Sequence, residues 1–338
     1  MTSRSIASSS GSSSLVSNLK YATPPSFVNE AQRTLLYFRA VDAESPESIL
    51  GDIYAKQLVN TIRLDIVDTM GQDLRFVSFW CLRAKRIDLW CHEFITEHPD
   101  CMVVNLSCGL DTRIQRLRPP SSVRWIDIDH LEVIEFRKKV FPNPGGDYST
   151  LAVDISEDDT SWIYSIPNNR PTLVVAESNM FYLKPEVAKS IFYTIAEHFS
   201  YGQIVFDVLG SFCAALINMK MVPVQKKTGM KILWPVDDPH KVATIHPKIR
   251  FIDEMRYSQD MPPWFGEFRT KILKRLPGYR NLGRVILLGF EEQSRNKSGG
   301  EVPMYPESVY AMSTTTDPDY LPDMAEGLSR VSTVQRMP

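Results

Sequence analysis

The stretch from Met102 to Arg113, MVVNLSCGLDTR, constrains this chain more than any other. Met102 to Leu106 reads as a short buried strand, and Ser107 to Asp111 as a tight turn holding one glycine and one acid. A glycine just past a strand lets backbone N–H groups approach a ligand closely. Three later segments end in acids: WIDID (Trp125 to Asp129), LAVD (to Asp154) and TLVVAES, with Glu177 before its last residue. A strand–turn unit followed by acidic strand ends suits a nucleoside-bearing ligand on an α/β sheet.

The rest of the chain alternates in the same way. Thr34 to Ile62 reads as helical with a break from Asp42 to Ser48, and Val77 to His98 as one long helix. In that long helix Ile87, Trp90, Cys91, Phe94 and Ile95 form an inward stripe. Arg83 lies one turn before Ile87 on the same stripe, whereas Lys85 points away. A cation facing inward needs a partner, either an anionic ligand or a structural carboxylate such as Asp88. Strands are predicted at 102–106, 123–128, 151–155, 172–176, 203–208, 249–253 and 284–290. Helices are predicted over Leu131 to Val140, over Pro185 to Phe199 and from Phe212 onward. Such alternation implies a parallel sheet with helices on both faces. The last candidate, RVILLGF, has no helix after it and reads as an antiparallel edge strand.

One domain from residue 26 to residue 293 accounts for these elements. Residues 1–25 are Ser-rich and read as a disordered tail; a transit peptide is the alternative, although only Arg4 and Lys20 are basic there. Residues 294–338 read as a second, weakly ordered polar tail. The stretch 214–247 interrupts the alternation and carries Met219, Met221, Met230 and Trp234 among several lysines. It is expected to cover a substrate, with MPPWF (Met261 to Phe265) as a further apolar wall. A net charge of -2 offers no basic field for nucleic acid. The five cysteines form no CxxC pair, which speaks against a disulfide framework or a zinc site and for a reducing, cytoplasmic compartment. No apolar run is long enough to span a membrane.

The first turn has a single glycine where a nicotinamide cofactor calls for GxGxxG. A mononucleoside without a pyrophosphate needs less glycine, and S-adenosylmethionine is such a ligand. Asp129, 20 residues after Gly109, suits the ribose hydroxyls. It equally suits an N-cap for the helix from Leu131, and Asp127 competes for the ribose role.

Taken in order, the motifs resemble the leucine carboxyl methyltransferase and polyketide O-methyltransferase family. Asn105 to Arg113 is similar to NLGAGLDTR. Arg39-Ala40 with Gly51 to Ala55 is similar to RA…DPYA, and Arg83 to Asp88 to R-T-R-x-I-D. Trp125 to Val133 is similar to W-x-E-V-D-L-P-E-V, and Ala176 to Leu183 to AEGVLMYL. The resemblance implies a Rossmann-like class I methyltransferase fold, seven mostly parallel strands with the last reversed, and S-adenosylmethionine as cofactor. It implies that Arg83, assisted by Arg39, holds the cofactor's carboxylate and that Gly109 lies against its methionine part. Asp129 would take the ribose, Asp154 and Ile155 would flank the adenine, Glu177 would face the centre, and Tyr182 would line the cleft. Ser107 and Ser178 stand where the family has glycine. The acceptor expected is a carboxylate or phenol of a small polyketide-like metabolite. A protein C-terminal carboxylate and a catalytically silent homologue are the alternatives. Neither His130 nor His198 makes a convincing general base.

Overall fold

The structure is a computed structural model that describes residues 24, 30–62, 74–219, 231–260, 271–272, 274–275 and 277–291. The two expected tails, Pro24 apart, lie outside the described residues, as do the MPPWF segment and Met221 and Met230 of the expected insertion.

Seven strands form one sheet: β1 (Met102–Leu106), β2 (Arg124–Asp129), β3 (Asp147–Ala152), β4 (Thr172–Ala176), β5 (Tyr201–Leu209), β6 (Ile249–Arg256) and β7 (Gly283–Glu291). Their order is β3-β2-β1-β4-β5-β7-β6. The first five pair in parallel, and β7 runs antiparallel between β5 and β6. The chain leaves β3 at one edge and returns beside β1 as β4, so the strand order reverses between β1 and β4. In open α/β sheets ligands sit outside the strands' carboxyl ends at such a point.

Helices cover both faces. Six of them matter here: α1 (Glu30–Asp42), α2 (Ile53–Thr61), α3 (Leu74–Glu97), α4 (Arg113–Leu117), α5 (Leu131–Val140) and α6 (Pro185–His198). On α3, the stripe Ile87, Trp90, Cys91, Phe94 and Ile95 packs with Val103, Trp125, Leu173, Val175 and Val205. On the opposite face Val187, Ile191 and Ile195 of α6, with Phe199, meet Val104, Ile126, Val174 and Phe206. Alternate residues of one strand thus feed two cores, and full burial of β1 and β4 follows.

Three expectations need correction. RVILLGF is reversed but interior, and β6 takes the edge; Gly283 to Phe290 are all buried, as an unalternating apolar run with both faces covered should be. The third strand begins at Asp147 and ends at Ala152, because pairing to β2 in register from Arg124↔Asp147 sets its limits. Asp154 therefore lies past the strand, in a turn where Ser156 donates N–H and O–H to its carboxylate. Lys85 is buried as well as Arg83, since α1 packs across that side of α3 through Phe38, Val77 and Cys81. Of the 214–247 stretch, residues 220–230 lie outside the described residues; Trp234, Val236 and Val242 are buried in the core, and the N–H groups of Leu233 and Trp234 bond Phe181 O.

Candidate cofactor site

A cavity of about 240 Å³ opens at the carboxyl ends of β1, β2, β3 and β4. Arg39 of α1, Gly109, Asp129, Asp154, Ile155, Glu177 and Tyr182 all border it. Its remaining wall includes Leu35 and Leu36 of α1, Ser107, Asp111, His130, Ser178 and Asn179. A larger groove of about 420 Å³, lined by Tyr54, Trp125 and Tyr148, lies at the other end of β2 and β3. The smaller cavity is the better candidate, because it sits where the strand order reverses and where ionisable groups converge.

Each wall residue is held by its local structure. Gly109 adopts φ 48°, and a Cβ there would come within 2.7 Å of Gln32 Nε2. Its N–H donates to Asp129 Oδ2 at 2.7 Å, and its carbonyl accepts from Arg137 at 2.9 Å. Asp129 also accepts from the N–H of His130 at 2.8 Å. The N-cap position of α5 is held by His130, with no side-chain cap bond, and not by Asp129. Asp127, the rival for the ribose role, is fully engaged elsewhere: Asn105, Trp125, Arg137 and Tyr148 all donate to it. Burial pushes the Asp129 carboxyl up, and the two backbone N–H bonds offset this only in part.

Behind Glu177 lies a buried ionic lattice. Glu177 receives Arg39 at 2.9 Å, Arg83 at 2.7 Å and Arg113. Arg113 also meets Asp88 and Asp111, and Arg116 joins Asp88, Asp111 and Asp52. Asp52 doubles as the N-cap of α2, accepting from Ala55 N–H at 2.9 Å. Burial pushes the Glu177 carboxyl up, but Arg39, Arg83 and Arg113 outweigh it and hold it well below the usual range. For Asp111 the same contest, won by Arg113, Arg39 and Arg116, ends at about 2. Asp111 and Arg113, two residues apart, pair at 2.6 Å.

Arg83 stands apart from the other candidates. It is fully buried and does not border the cavity; its two Nη atoms are spent on Glu177, Asp207 and Ser178. Its guanidinium also lies over Trp80, with Cζ 4.4 Å from the ring centre. Its carboxylate partners are thus Glu177 and Asp207, and Asp88 serves Arg113 and Arg116 instead.

Two residues at the cavity adopt left-handed backbone conformations without being glycine: Ser107 at φ 48° and Ser178 at φ 59°. These are the positions where the sequence departs from the family's glycines. The Ser178 N–H donates to Asp207 Oδ1 at 2.6 Å and its Oγ accepts from Arg83, which ties the strained turn to the lattice. Sequence reasoning passed over Asp207 and Asn179. An acid inside the apolar run QIVFDV was a usable signal for the first, since a buried charge needs a partner. For Asn179, which donates to Leu106 O at 2.7 Å and leaves its Oδ1 unpartnered, no local pattern gave warning.

The sequence profile described as leucine carboxyl methyltransferase matches residues 34–196. The tetracenomycin polyketide synthesis O-methyltransferase TcmP of Streptomyces glaucescens is 32% identical over 229 residues, which is 67% of this chain and 82% of that protein. The S-adenosyl-L-methionine-dependent methyltransferase dpfgK of Gibberella zeae is 31% identical over 289 residues, or 77% of this chain and 94% of that protein. The matched profile region holds Arg39, Arg83, Gly109, Asp129 and Glu177 together with the first four strands. The chain belongs to the leucine carboxyl methyltransferase family and is an S-adenosylmethionine-dependent methyltransferase.

Proposed function

We propose that the protein is a cytoplasmic O-methyltransferase that acts on a small, polyketide-like organic acid or acidic phenol. Residues of the cavity suit the cofactor. Gly109 borders the cavity, and the Gln32 side chain packs over its bare backbone where a Cβ would stand, so a ligand that shifts this flexible side chain meets backbone directly. The unpartnered Asn179 Oδ1 offers an acceptor to an incoming donor. Asp129 is proposed to take the ribose hydroxyls and Gly109 to meet the methionine part. Asp154 and Ile155 flank the adenine, and Glu177 with Arg39 meets the charged end. Arg83 acts from behind, by fixing Glu177. When bound, S-adenosylmethionine supplies an electrophilic methyl group to a nucleophilic oxygen.

The choice of acceptor is supported by how the basic groups of the described wall are occupied: Asp129 accepts two backbone N–H bonds, and His130 Nε2 lies 3.7 Å from Asp154 Oδ1. Glu177 and Asp111 are tied to guanidiniums. Burial, with Asp207 nearby, pushes the Tyr182 hydroxyl up to about 12, so it stays protonated and can donate but not abstract. The ring of His198 bonds Ile166 O at 2.7 Å, on the α6 side. A carboxylate is ionised at neutral pH and needs no base, whereas an ordinary phenol does. Catalysis then rests on holding two reactants in line within a dry cleft. The polyketide-like class draws on TcmP, whose match covers most of its length.

The test is transfer of a tritiated methyl group into extract, split into small-molecule and protein fractions. Label in the small-molecule fraction that alkali releases as methanol marks a carboxyl ester, and alkali-stable label marks a phenol ether. Label confined to protein would overturn the proposal.

A further inference from the structure

The ion pairs around Glu177 form one connected set. Four guanidiniums (Arg39, Arg83, Arg113 and Arg116) pair with five carboxylates (Asp52, Asp88, Asp111, Glu177 and Asp207). No side chain among them is more than 9% exposed. Arginine stays protonated in proteins. With all five carboxylates ionised, the set among the described residues carries one negative charge in excess, and a buried uncompensated charge is costly.

The excess sits at the cavity end of the lattice. Asp88 and Asp111 each receive two or more guanidiniums, and Asp52 is supported by Arg116, Thr112 and the Ala55 N–H. Asp207 has a single guanidinium, Arg83, which Glu177 shares. Glu177 and the turn at Ser178 form the wall between this pair and the cavity. Burial pushes the Asp207 carboxyl up, and Arg83 offsets that only in part. The neighbouring Asn179 Oδ1 is a further acceptor without a donor. At this end the wall asks for positive charge and for N–H donors.

We infer that this unbalanced lattice makes the site select the cationic cofactor over its own demethylated product, with Glu177 and Asp207 as the residues that set the preference. The inference rests on the reading of this cavity as the cofactor site. S-adenosylmethionine carries a sulfonium, an ammonium and a carboxylate, and so a net charge of about +1 at neutral pH. In the transfer the sulfur–methyl bond breaks and an oxygen–methyl bond forms. The sulfur keeps the electron pair as a neutral thioether, and the product S-adenosylhomocysteine has no net charge. The ionised acceptor loses its charge in the same step and leaves as a neutral ester or ether, after which S-adenosylhomocysteine alone does not compensate the lattice. Product release is thereby favoured by the charge of the protein's own wall.

Calorimetric titration of the full chain with S-adenosylmethionine, S-adenosylhomocysteine and sinefungin reads this directly. Sinefungin keeps a positive charge by carrying an amine where the methyl group stands, on a carbon that replaces the sulfur. The two cations should bind at least about tenfold tighter than S-adenosylhomocysteine, which is a modest share of one unit charge compensated near a protein interior. Glu177→Gln should bring the ratio toward one, and Arg39→Gln, which adds to the excess, should widen it. Asp207→Asn removes the same charge one layer deeper and serves if Glu177→Gln does not fold. Equal affinities in the wild type, or one ratio throughout all folded variants, would overturn the inference. Binding of none of the three ligands would overturn the cofactor reading itself, and the inference with it.

Discussion

Arg39 and Glu177 are 138 residues apart in sequence and 2.9 Å apart in space. Their ion pair fastens α1, which forms one wall of the cavity, to the carboxyl end of β4, which forms another. Because Arg39 also grips Asp111 at 2.8 Å, one side chain joins three separate segments at the mouth of the site. The position of α1 over the cavity is therefore set by charge as well as by the packing of Leu36 and Ala40 on α2.

Removing a deep guanidinium should cost more stability than removing this outer one. Arg113→Ala strips partners from Asp88, Asp111 and Glu177, all buried, and is expected to destabilise the fold by about 3–5 kcal/mol. Arg39→Ala leaves Asp111 and Glu177 with other arginines and should cost clearly less. Urea unfolding of the two variants side by side checks the ranking, and equal losses would contradict it.

Asp129→Ala should weaken S-adenosylmethionine binding by about ten- to a hundredfold, the worth of charge-assisted hydrogen bonds to a diol. Asp129→Asn, which can still accept one such bond, should fall between. Calorimetry on both, with thermal unfolding as a control for the lost Gly109 and His130 contacts, makes the comparison.

The two left-handed serines should part company when replaced by glycine. Ser107→Gly relieves a backbone conformation that costs a residue with a Cβ about 1 kcal/mol, so a small gain in stability is expected. Ser178→Gly gains the same relief but loses the hydroxyl that accepts from Arg83, and the two effects should nearly cancel. Differential scanning calorimetry reads the difference; destabilisation by Ser107→Gly would show that its hydroxyl makes an unseen contribution.

Acid should undo the lattice in a definite window. The Asp111 carboxyl is held down at about 2 in the folded protein, below the range of an unfolded carboxylate. Its contribution to stability is present above that range and is lost as pH falls through it toward the folded value. Asp111→Asn should be less stable at neutral pH, yet lose less of what remains between about pH 5 and pH 2. A steeper acid loss in the variant would contradict the role given to Asp111.

How much of this could be read from the sequence depended on whether a residue's partner was local. The long helix showed in periodicity, because the stripe Ile87 to Ile95 faces the sheet, and the central strands showed as unbroken apolar runs, because MVVNL and TLVVA are covered on both faces. Gly109, Asp129 and Glu177 stood at strand ends, where topology alone brings them together. The burial of Lys85 and the interior place of β7 depend on what packs from elsewhere, α1 in one case and β6 in the other. The partners of Arg83 lie 94 and 124 residues away, too far for any spacing rule to choose Glu177 and Asp207 over Asp88.

The most direct test of the account is a crystal structure of the protein with S-adenosylhomocysteine, read for where the nucleoside lies. The account predicts the ribose hydroxyls on the Asp129 carboxylate, the adenine beside Asp154 and Ile155, and the amino-acid end next to Glu177 and Asn179. A ligand seated in the groove lined by Tyr54, Trp125 and Tyr148, or one in the cavity with Asp129 turned away from its ribose, would contradict it.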